Sequence, residues 1–273
     1  MPITLENVEF TYMAKTPYER KALQGVSLTV DKGEFVAVIG HTGSGKSTLV
    51  QHLNGLLKPS AGKVTIDGLD ISGKGEAVKK ARHQVGMVFQ YPEHQIFAET
   101  VFEDIAFGPR NKGMQENEVK QQVQDAMRFV GLDFETFASR SPFQLSGGQM
   151  QRVAIARSLV NNPKVLLLDE PFAAIDAKIR QELRNWLKEM IGKLGITSIF
   201  VTHDQDEAIE VADEIIITNA GRIEQKGTPI GVYRNPETAF TASFFGQPSV
   251  LKNADDFHTF AQAEGADKII VRP

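Results

Sequence analysis

The sequence predicts an α/β fold in which a helical segment interrupts a mainly parallel sheet, and three observations indicate it. The apolar run Phe35–Ile39 leads into a glycine-rich turn, as in a strand that is followed by a helix. From about residue 91 to 162, apolar residues recur at helical spacing. Buried strands and an amphipathic helix then alternate again. We therefore expect an α/β core with an inserted helical subdomain.

The first part of the chain contains most of the predicted strands. Apolar or alternating runs predict strands at 3–10, 26–30, 34–39, 63–67 and 85–89. A helix is predicted after the glycine-rich turn, over about 47–57. In the middle of the chain, helical spacing is carried by Val119, Val123, Met127, Val130, Val153, Ile155 and Leu159.

The last part of the predicted core resumes the alternation of strand and helix. Buried strands are predicted at 165–168 and 198–201. Between them, one helix face carries Ile179, Leu183, Leu187 and Ile191. The runs 214–218 and 222–225, joined by Asn219, Ala220 and Gly221, predict a hairpin that closes the domain.

Composition and charge narrow the possible partners. The net charge is −4, so no overall positive field draws the chain to nucleic acid, and we expect no nucleic-acid partner. The sequence has no cysteine, so disulfide and thiolate chemistry are absent. We expect no secretory signal at the N-terminus and no membrane span, because no apolar run approaches the roughly 20 residues that a spanning helix needs. Any membrane role would therefore act through a partner.

The glycine-rich turn has the Walker A pattern and predicts a site for a nucleoside triphosphate. Its backbone N–H groups and the following helix N-terminus can converge on phosphate oxygens, whereas the plain alternative is a turn between strand and helix. Lys46 would reach the β and γ phosphates, and Ser47 would ligate Mg²⁺. The predicted nucleotide-binding residues of this turn are Gly40, His41, Thr42, Gly43, Ser44, Gly45, Lys46, Ser47 and Thr48.

Four polar side chains at predicted strand ends join Lys46 and Ser47 in a candidate catalytic and metal-binding set. Asp169 and Glu170 end the strand at 165–168, where we expect Asp169 to orient Mg²⁺ and Glu170 to polarise the attacking water. Gln90 would touch Mg²⁺ or that water, and His203 would lie near the γ phosphate. The alternatives are a solvated acidic turn, a solvated glutamine and a structural histidine.

A second motif, the segment Leu145-Ser146-Gly147-Gly148-Gln149, indicates which class of nucleotide-binding protein this chain resembles. Ser146, Gly147 and Gly148 open a helix and can present N–H groups and a hydroxyl to an anion, although a simple helix cap has the same residues. If the segment lies at the tip of the helical subdomain, it cannot fold back onto its own Lys46. The useful geometry is then two chains head to tail, each clamping the nucleotide of the other.

Over residues 1 to about 240, the chain resembles the ATP-binding-cassette (ABC) ATPase family. The resemblance rests on an ordered set of motifs: Walker A, Gln90, the 145–149 segment, Asp169-Glu170, Asp176 and His203. The resemblance implies a P-loop NTPase (RecA-like) core with an antiparallel β subdomain and an inserted helical subdomain. It also implies ATP and Mg²⁺ as cofactors, ATP hydrolysis and an ATP-sandwich dimer in which Ser146, Gly147, Gly148 and Gln149 act on the opposite nucleotide. Tyr12 matches the adenine-stacking position, for which an ordinary exposed aromatic is the alternative.

The resemblance also implies a D-loop that carries signals between the two sites, to which Asp176 belongs. This segment reads Ala173-Ala174-Ile175-Asp176 and lacks the serine or glycine often found before the apolar residue.

The resemblance divides the chain between two subfamilies. Residues 3 to about 114 resemble the ATPases of energy-coupling-factor importers, notably at 91–97 and 105–109. From about Lys164 onward, the chain resembles the sulfate, maltose and polyamine importers, whose chains continue into a regulatory domain. The tail 269–273 looks like the first strand of that domain. A recombined or truncated chain would explain this, and an unusual natural member is the alternative.

The expected organisation follows from the same resemblance. The ABC ATPase domain covers 1–240, with its core at 1–90 and 163–240 and its helical subdomain at 91–162, and 241–273 is a C-terminal extension. The expected function is to power an importer from the inner face of the cell membrane, with a second ATPase chain and integral membrane subunits as partners. The alternatives are a soluble ABC ATPase of repair or translation, and a cassette without a transport partner.

Overall fold

A computed structural model describes residues 3–173, 175–245, 249–252 and 268–271. An antiparallel sheet has the order β2-β1-β4-β5 and a larger sheet the order β10-β9-β3-β8-β7-β6. The antiparallel sheet comprises β1 (Ile3–Tyr12), β2 (Arg20–Val30), β4 (Ala61–Ile66) and β5 (Leu69–Asp70). The larger sheet comprises β3 (Phe35–Ile39), β6 (Val85–Val88), β7 (Val165–Asp169), β8 (Thr197–Thr202), β9 (Glu214–Asn219) and β10 (Arg222–Gly227).

The central strands β3, β7 and β8 are parallel and buried at every residue, as their continuous apolar runs predict. Alternate side chains contribute to different cores. Phe35, Ala37 and Ile39 belong to a core shared with the helical segment, whereas Val36 and Val38 belong to a core shared with the antiparallel sheet. The larger sheet therefore separates two hydrophobic layers, and its carboxyl edge stays free for polar side chains.

Helices cover both faces of the larger sheet. They are α1 (Lys46–Leu53), α2 (Glu76–Arg82), α3 (Val101–Asn111), α4 (Glu116–Phe129), α5 (Phe134–Phe137), α6 (Gly147–Leu159), α7 (Ala177–Leu194), α8 (Gln205–Val211), α9 (Pro229–Arg234) and α10 (Ala239–Phe244). Short 3₁₀ turns lie at Pro92–His94 and Pro142–Gln144. No strand is assigned between residues 91 and 162, and the apolar positions predicted there are buried. The fold class predicted from the sequence is confirmed.

Several predicted boundaries are wrong. The helix predicted over 47–57 ends at Leu53, because the chain turns at Asn54 and Gly55 has a φ of +70°. The strand predicted at 26–30 begins at Arg20, which pairs with Tyr12 across an irregular register. Local patterns do not show this pairing, because bulges break the alternation. The hairpin of β9 and β10 is present and slightly longer than predicted, with positive φ at Ala220 and Gly221.

The described residues after 240, where the sequence predicts a C-terminal extension, include the end of α10 and a strand pair. β11 (Ser249–Lys252) is antiparallel to β12 (Lys268–Val271), which contains residues 269–271 of the predicted strand. The sequence reading missed β11, and residues 246–248, 253–267 and 272–273 lie outside the described residues. Within the described residues, none of the helices combines the length and the apolar character needed to cross a bilayer.

Candidate functional site

The Walker A turn joins β3 to α1 and leaves the helix N-terminus open. Gly45 occupies the N-cap position with a φ of +101°, and no side chain caps the first turn. A Cβ at Gly45 would lie 2.6 Å from the carbonyl oxygen of Ala22, so only glycine fits here without a shift. The uncapped N–H groups and the helix dipole form an anion site at this point. Local sequence and close packing therefore build the predicted phosphate cradle.

The β9–β10 hairpin holds the turn in place. The Ser44 hydroxyl lies 2.9 Å from Thr218 Oγ1, which also donates to the carbonyl oxygen of Ile39 at 3.0 Å. The Gly221 N–H donates to the carbonyl oxygen of Ser44 at 3.0 Å. The Ser44 side chain is thus buried against β9, so its hydroxyl does not point at a ligand. This structural role was not predicted, because the two segments lie far apart in the sequence.

Lys46 is a buried ammonium held by the turn itself. Its Nζ donates to the carbonyl oxygens of Gly40 at 2.8 Å and His41 at 3.1 Å. Burial lowers the pKa of Lys46, and the carboxylates of Glu170 and Asp169 oppose that shift. A partly dehydrated cation beside an open helix N-terminus attracts phosphate strongly, since charges interact more in a low dielectric.

Asp169 and Ser47 form the corner where the sequence predicts Mg²⁺. The Ser47 hydroxyl donates to Asp169 Oδ1 at 3.0 Å. Burial raises the pKa of Asp169, and the hydrogen bond from Ser47 opposes the shift. Hydroxyl and carboxylate oxygens suit Mg²⁺, which typically takes one or two carboxylates together with substrate phosphates. Among the described residues, no cluster of three or more histidine, aspartate or glutamate side chains that could hold a metal occurs.

Glu170 is the centre of the candidate catalytic set. Gln90 Nε2 donates to Glu170 Oε2 at 3.0 Å, and His203 Nδ1 lies 3.2 Å from the same oxygen. The φ of Glu170 is +46°, a conformation that costs a non-glycine residue about 1–3 kcal/mol and concentrates at functional sites. The structure therefore brings all three predicted residues together, but it pairs Gln90 with Glu170 rather than with the Ser47–Asp169 corner.

A cavity of about 430 Å³ opens over these groups. The Tyr12 hydroxyl lies 3.2 Å from Thr48 Oγ1, and the exposed ring stands at the mouth of the cavity. Opposite Tyr12 in the strand register, the guanidinium of Arg20 lies over Gly43. The cavity is lined by Tyr12, Arg20, Ala22, Thr42, Gly43, Gly45, Lys46, Ser47, Thr48, Gln90, Glu170 and His203. Its size and its polar, cationic floor suit a nucleotide.

The comparison with known families agrees with this geometry. The family described as ABC transporter matches residues 23–173, more than half of the chain. This chain belongs to the ABC transporter family. It is an ATP-binding subunit of that family and an ATPase.

Relatives of this ABC ATPase match most of its length. The energy-coupling factor transporter ATP-binding protein EcfA2 of Caldanaerobacter subterraneus is 54% identical over 237 residues, 87% of this chain and 82% of the relative. The solved structure of cbiO1 from Clostridium perfringens, part of the ABC transporter complex cbiONQ, has a TM-score of 0.77 to this chain. The match has 36% sequence identity and covers 88% of this chain and 94% of cbiO1. A dimeric ATP-binding cassette in a post-hydrolysis state with ADP and Pi matches with a TM-score of 0.74 and 34% identity over 83% and 98%.

These matches bear on the division between two subfamilies. One relative aligns with 237 residues, which is longer than either segment on the two sides of the expected junction. The comparisons therefore give no support to a recombined origin of this ABC ATPase.

The segment 145–149 of this ABC ATPase, called the signature segment below, lies outside the cavity. Ser146 Oγ accepts from the Gln149 N–H at 3.3 Å, and Gln149 Oε1 accepts from the Ser146 N–H at 3.0 Å, which is a capping box. Ser146 and Gly147 are exposed, and Gly148 is buried against α7. Asp176 is also exposed, at the N-terminus of α7, where its side chain does not cap the helix. None of these predicted residues is among the described residues that line the cavity.

Two residues add to the sequence-based description of the nucleotide site. The His41 ring does not line the cavity, because it packs on Phe240 and Phe244 of α10, with ring centroids 5.7 and 5.3 Å away, so its predicted part in phosphate binding would fall to its backbone. Arg20 lines it and was missed, because the predicted strand began at residue 26. The signal available in the sequence was a lone basic residue shortly before an apolar run, which is too common to be specific.

Proposed function

We propose that this chain hydrolyses ATP to power an importer of the energy-coupling-factor type, with the in-line attack of water on the γ phosphate as the chemical step. The single observation that supports this best is the shared hydrogen bonding of Glu170 Oε2 by Gln90 and His203 beside the Ser47–Asp169 pair. The 54% identity to an energy-coupling factor ATP-binding protein supports the transport class.

Each residue of the set has a proposed part. Glu170 accepts the proton of the attacking water, while Gln90 and His203 orient its carboxylate. Lys46 leaves the carbonyl oxygens of its own turn and donates to the phosphates. Ser47 and Asp169 would hold Mg²⁺, and a bound Mg²⁺ would supply positive charge against the phosphate oxygens. Tyr12 stacks on adenine, and Arg20 adds positive charge at the cavity wall.

A second copy completes the proposed site. Ser146, Gly147, Gly148, Gln149 and Asp176 would meet the nucleotide of the opposite chain. Their position outside their own cavity supports this arrangement, because the α6 N-terminus, exposed at Ser146 and Gly147, suits an anion that another molecule brings. The solved relative with ADP and Pi is itself dimeric.

The proposed contact with a membrane subunit lies between Gln90 and Gly108. Phe97 and Phe107 are 59% and 44% exposed, and their rings meet edge to face with centroids 4.9 Å apart. An exposed aromatic pair close to Gln90 can bind a partner and respond to the occupancy of the catalytic site. Through such partners the chain would lie at the cytoplasmic face of the membrane. We also propose the domain limits 1–240, with a helical subdomain at 91–162, and 241–273.

The transport class is tested by offering the purified chain two kinds of membrane subunit in detergent. We expect capture and ATPase stimulation by the transmembrane subunit of an energy-coupling-factor importer, and not by a sulfate or maltose permease. Phe97→Ser should weaken capture, whereas Ile230→Ser, a change at a similarly exposed residue on α9, should not. Capture by the permease alone would refute the class and favour the expected resemblance of the C-terminal part. Capture by neither would favour a cassette without a transport partner.

A further inference from the structure

The residues on both sides of His203 are held by a buried ionic network that has no part in the site described above. Glu207 Oε1 accepts from Arg184 Nη2 at 2.9 Å, and Glu207 Oε2 accepts from the Thr202 hydroxyl at 2.6 Å. The three residues are almost fully buried, with exposed fractions of 4% for Glu207, 8% for Arg184 and 2% for Thr202. A network of this kind between α7, α8 and the end of β8 is expensive to desolvate.

The network closes around the backbone that carries His203. Thr202 Oγ1 accepts from the N–H of Asp204 at 3.0 Å, and Asp204 Oδ1 accepts from the N–H of Glu207 at 3.1 Å. The second oxygen of Asp204 lies 3.4 Å from Arg184 Nη2. The residue before His203 and the residue after it are therefore both bonded to Glu207, and Asp204 also contacts Arg184.

His203 itself has little other support. Its side chain is 61% exposed, and its ring nitrogen Nδ1 lies 3.2 Å from Glu170 Oε2. An exposed ring loses rotamer freedom when it is held, so its direction depends on how rigidly its backbone is placed. A misplacement of about 1 Å at a catalytic centre can cost about a hundredfold in rate.

We infer that Arg184 and Glu207 are positioning residues for His203, which hold the turn after β8 so that the imidazole meets Glu170. The inference rests on the proposed role of His203 in ATP hydrolysis. Its physical basis is that a buried Arg–Glu pair gains little stability over apolar residues of the same size, whereas it fixes one arrangement of the groups that it bonds.

The charge state of the network supports this fixed arrangement. Burial opposes the charge of Arg184, but the hydrogen bond to Glu207 and the charges of Glu207, Asp204 and Glu210 outweigh it and hold the pKa of Arg184 above its ordinary value. Arg184 therefore stays charged at every pH at which the enzyme is folded. Glu210 is the outer member, because it contacts Arg184 Nη1 at 3.4 Å and neither Thr202 nor Asp204.

The test uses two variants that break the link to His203 and two that keep it. Glu207→Gln and Thr202→Val should lower kcat for ATP about ten- to hundredfold. KM should stay within about twofold, since neither change touches the Walker A turn or Tyr12, which bind the nucleotide in the proposed function. Thr202→Ser keeps the hydroxyl, and Glu210→Gln changes only the outer contacts with Arg184 and the exposed Gln181, so both should keep wild-type turnover. Binding of a fluorescent ATP analogue measures the fraction of each preparation that is folded.

Two further measurements separate positioning from a general loss of structure. Thr202→Val should cause no further loss of turnover when it is added to His203→Ala, because the group that it positions is gone. In NMR spectra of the nucleotide-free chain, the ring signals of His203, identified by their loss in His203→Ala, should shift in Thr202→Val and stay unchanged in Thr202→Ser. This second measurement holds even where the turnover of His203→Ala is too slow to measure.

Each outcome decides a different point. Wild-type turnover in His203→Ala would remove the proposed role of His203, and the positioning with it. Two outcomes would overturn the positioning role alone. One is slow turnover in His203→Ala together with wild-type turnover in Thr202→Val. The other is an equal loss of turnover from Thr202→Val in the wild type and in His203→Ala. If Glu207→Gln does not fold because its partner Arg184 is left unpaired, the comparison of Thr202→Val with Thr202→Ser tests the inference by itself.

Discussion

At the scale of single residues, the proposed chemistry depends on Glu170. Its side chain is 16% exposed, and its Oε2 is in contact with Gln90 and His203, which come from two other segments of the chain. The positive φ of Glu170 shows that the backbone is held in a strained form at the end of β7. The surrounding contacts must stabilise this form, so the carboxylate is placed before any ligand binds.

Replacing Glu170 by glutamine should separate binding from hydrolysis. Glu170→Gln keeps the shape and the hydrogen-bond acceptor but cannot take the proton of water, so turnover should fall by about a hundredfold or more. ATP affinity should stay close to that of the wild type. Steady-state hydrolysis and equilibrium binding of ATP measure the two effects, with Glu189→Gln on the exposed face of α7 as the control. Near-normal hydrolysis would remove Glu170 from the catalytic role.

The charged Asp169 should lower the free energy of unfolding of the nucleotide-free chain. Burial raises its pKa, so the folded chain holds the proton more tightly than the unfolded chain does. The charged carboxylate is therefore destabilising above the raised pKa, and this cost disappears as the pH falls to the ordinary value of an aspartate. Asp169→Asn should raise the midpoint of thermal unfolding at pH 7, by about 2–4 °C for each kcal/mol that it relieves.

The expected gain has a clear control. The pKa of Asp70 is lowered, mainly by its hydrogen bond from the backbone of Ser72. Asp70→Asn should therefore not stabilise the chain. Thermal unfolding without nucleotide or Mg²⁺ at several pH values checks both variants. A midpoint for Asp169→Asn that stays below the wild type at pH 7 would contradict this account.

At the scale of elements, α6 and α7 connect the signature segment to the rest of the chain. A Cβ at Gly148 would lie 2.9 Å from Ile179 Cγ2, closer than real Cβ contacts allow. The two helices therefore touch at the point where α6 presents Ser146 and Gly147. Because α7 also begins beside Asp176 and carries Arg184, its position affects several parts of the proposed site.

Gly148→Ala should push α6 and α7 apart and reduce ATPase activity, while binding of ATP to the single chain remains. Gly192→Ala is the matched control, because this α7 glycine has no atom near its added Cβ, and alanine is favoured there by about 1 kcal/mol. Adding Ile179→Ala to Gly148→Ala should restore part of the activity, since it removes the clashing methyl group. Activity equal to the wild type in Gly148→Ala would show that the contact is unimportant.

At the scale of the whole molecule, the cavity and the signature segment are separate surfaces of the described chain. One surface carries a buried cation and an open helix N-terminus, and the other carries the α6 N-terminus, which is exposed at Ser146 and Gly147. Both suit the same polyphosphate, so a second chain would join them around ATP.

ATP should therefore drive the association of two chains. Glu170→Gln with saturating ATP and Mg²⁺ is expected to form a dimer that multi-angle light scattering detects, and the additional change Ser146→Arg should abolish it. Lys46→Ala and Ser146→Arg chains should each be inactive, and mixing them should restore some activity if the two sites act independently. A strictly monomeric Glu170→Gln chain at saturating ATP would exclude the head-to-tail arrangement.

Local patterns in the sequence determined much of the fold and the identity of the main site residues. The buried strands are readable because parallel strands covered on both faces must be continuously apolar, as residues 165–168 are. The phosphate turn is readable because its glycines and Lys46 are needed at fixed spacing within one short segment. The helical faces of α4 and α7 follow from spacing alone.

Only the tertiary structure decided which side chains meet. Ser44 bonds Thr218, His41 packs on α10, and Arg20 enters the cavity, although none of these contacts has a local signal. The same holds for the meeting of Gln90 and His203 on one oxygen of Glu170, and for the Arg184–Glu207 pair. The physical reason is that neighbouring residues set backbone preference and the apolar face, whereas the packing of distant elements sets the distances between polar side chains.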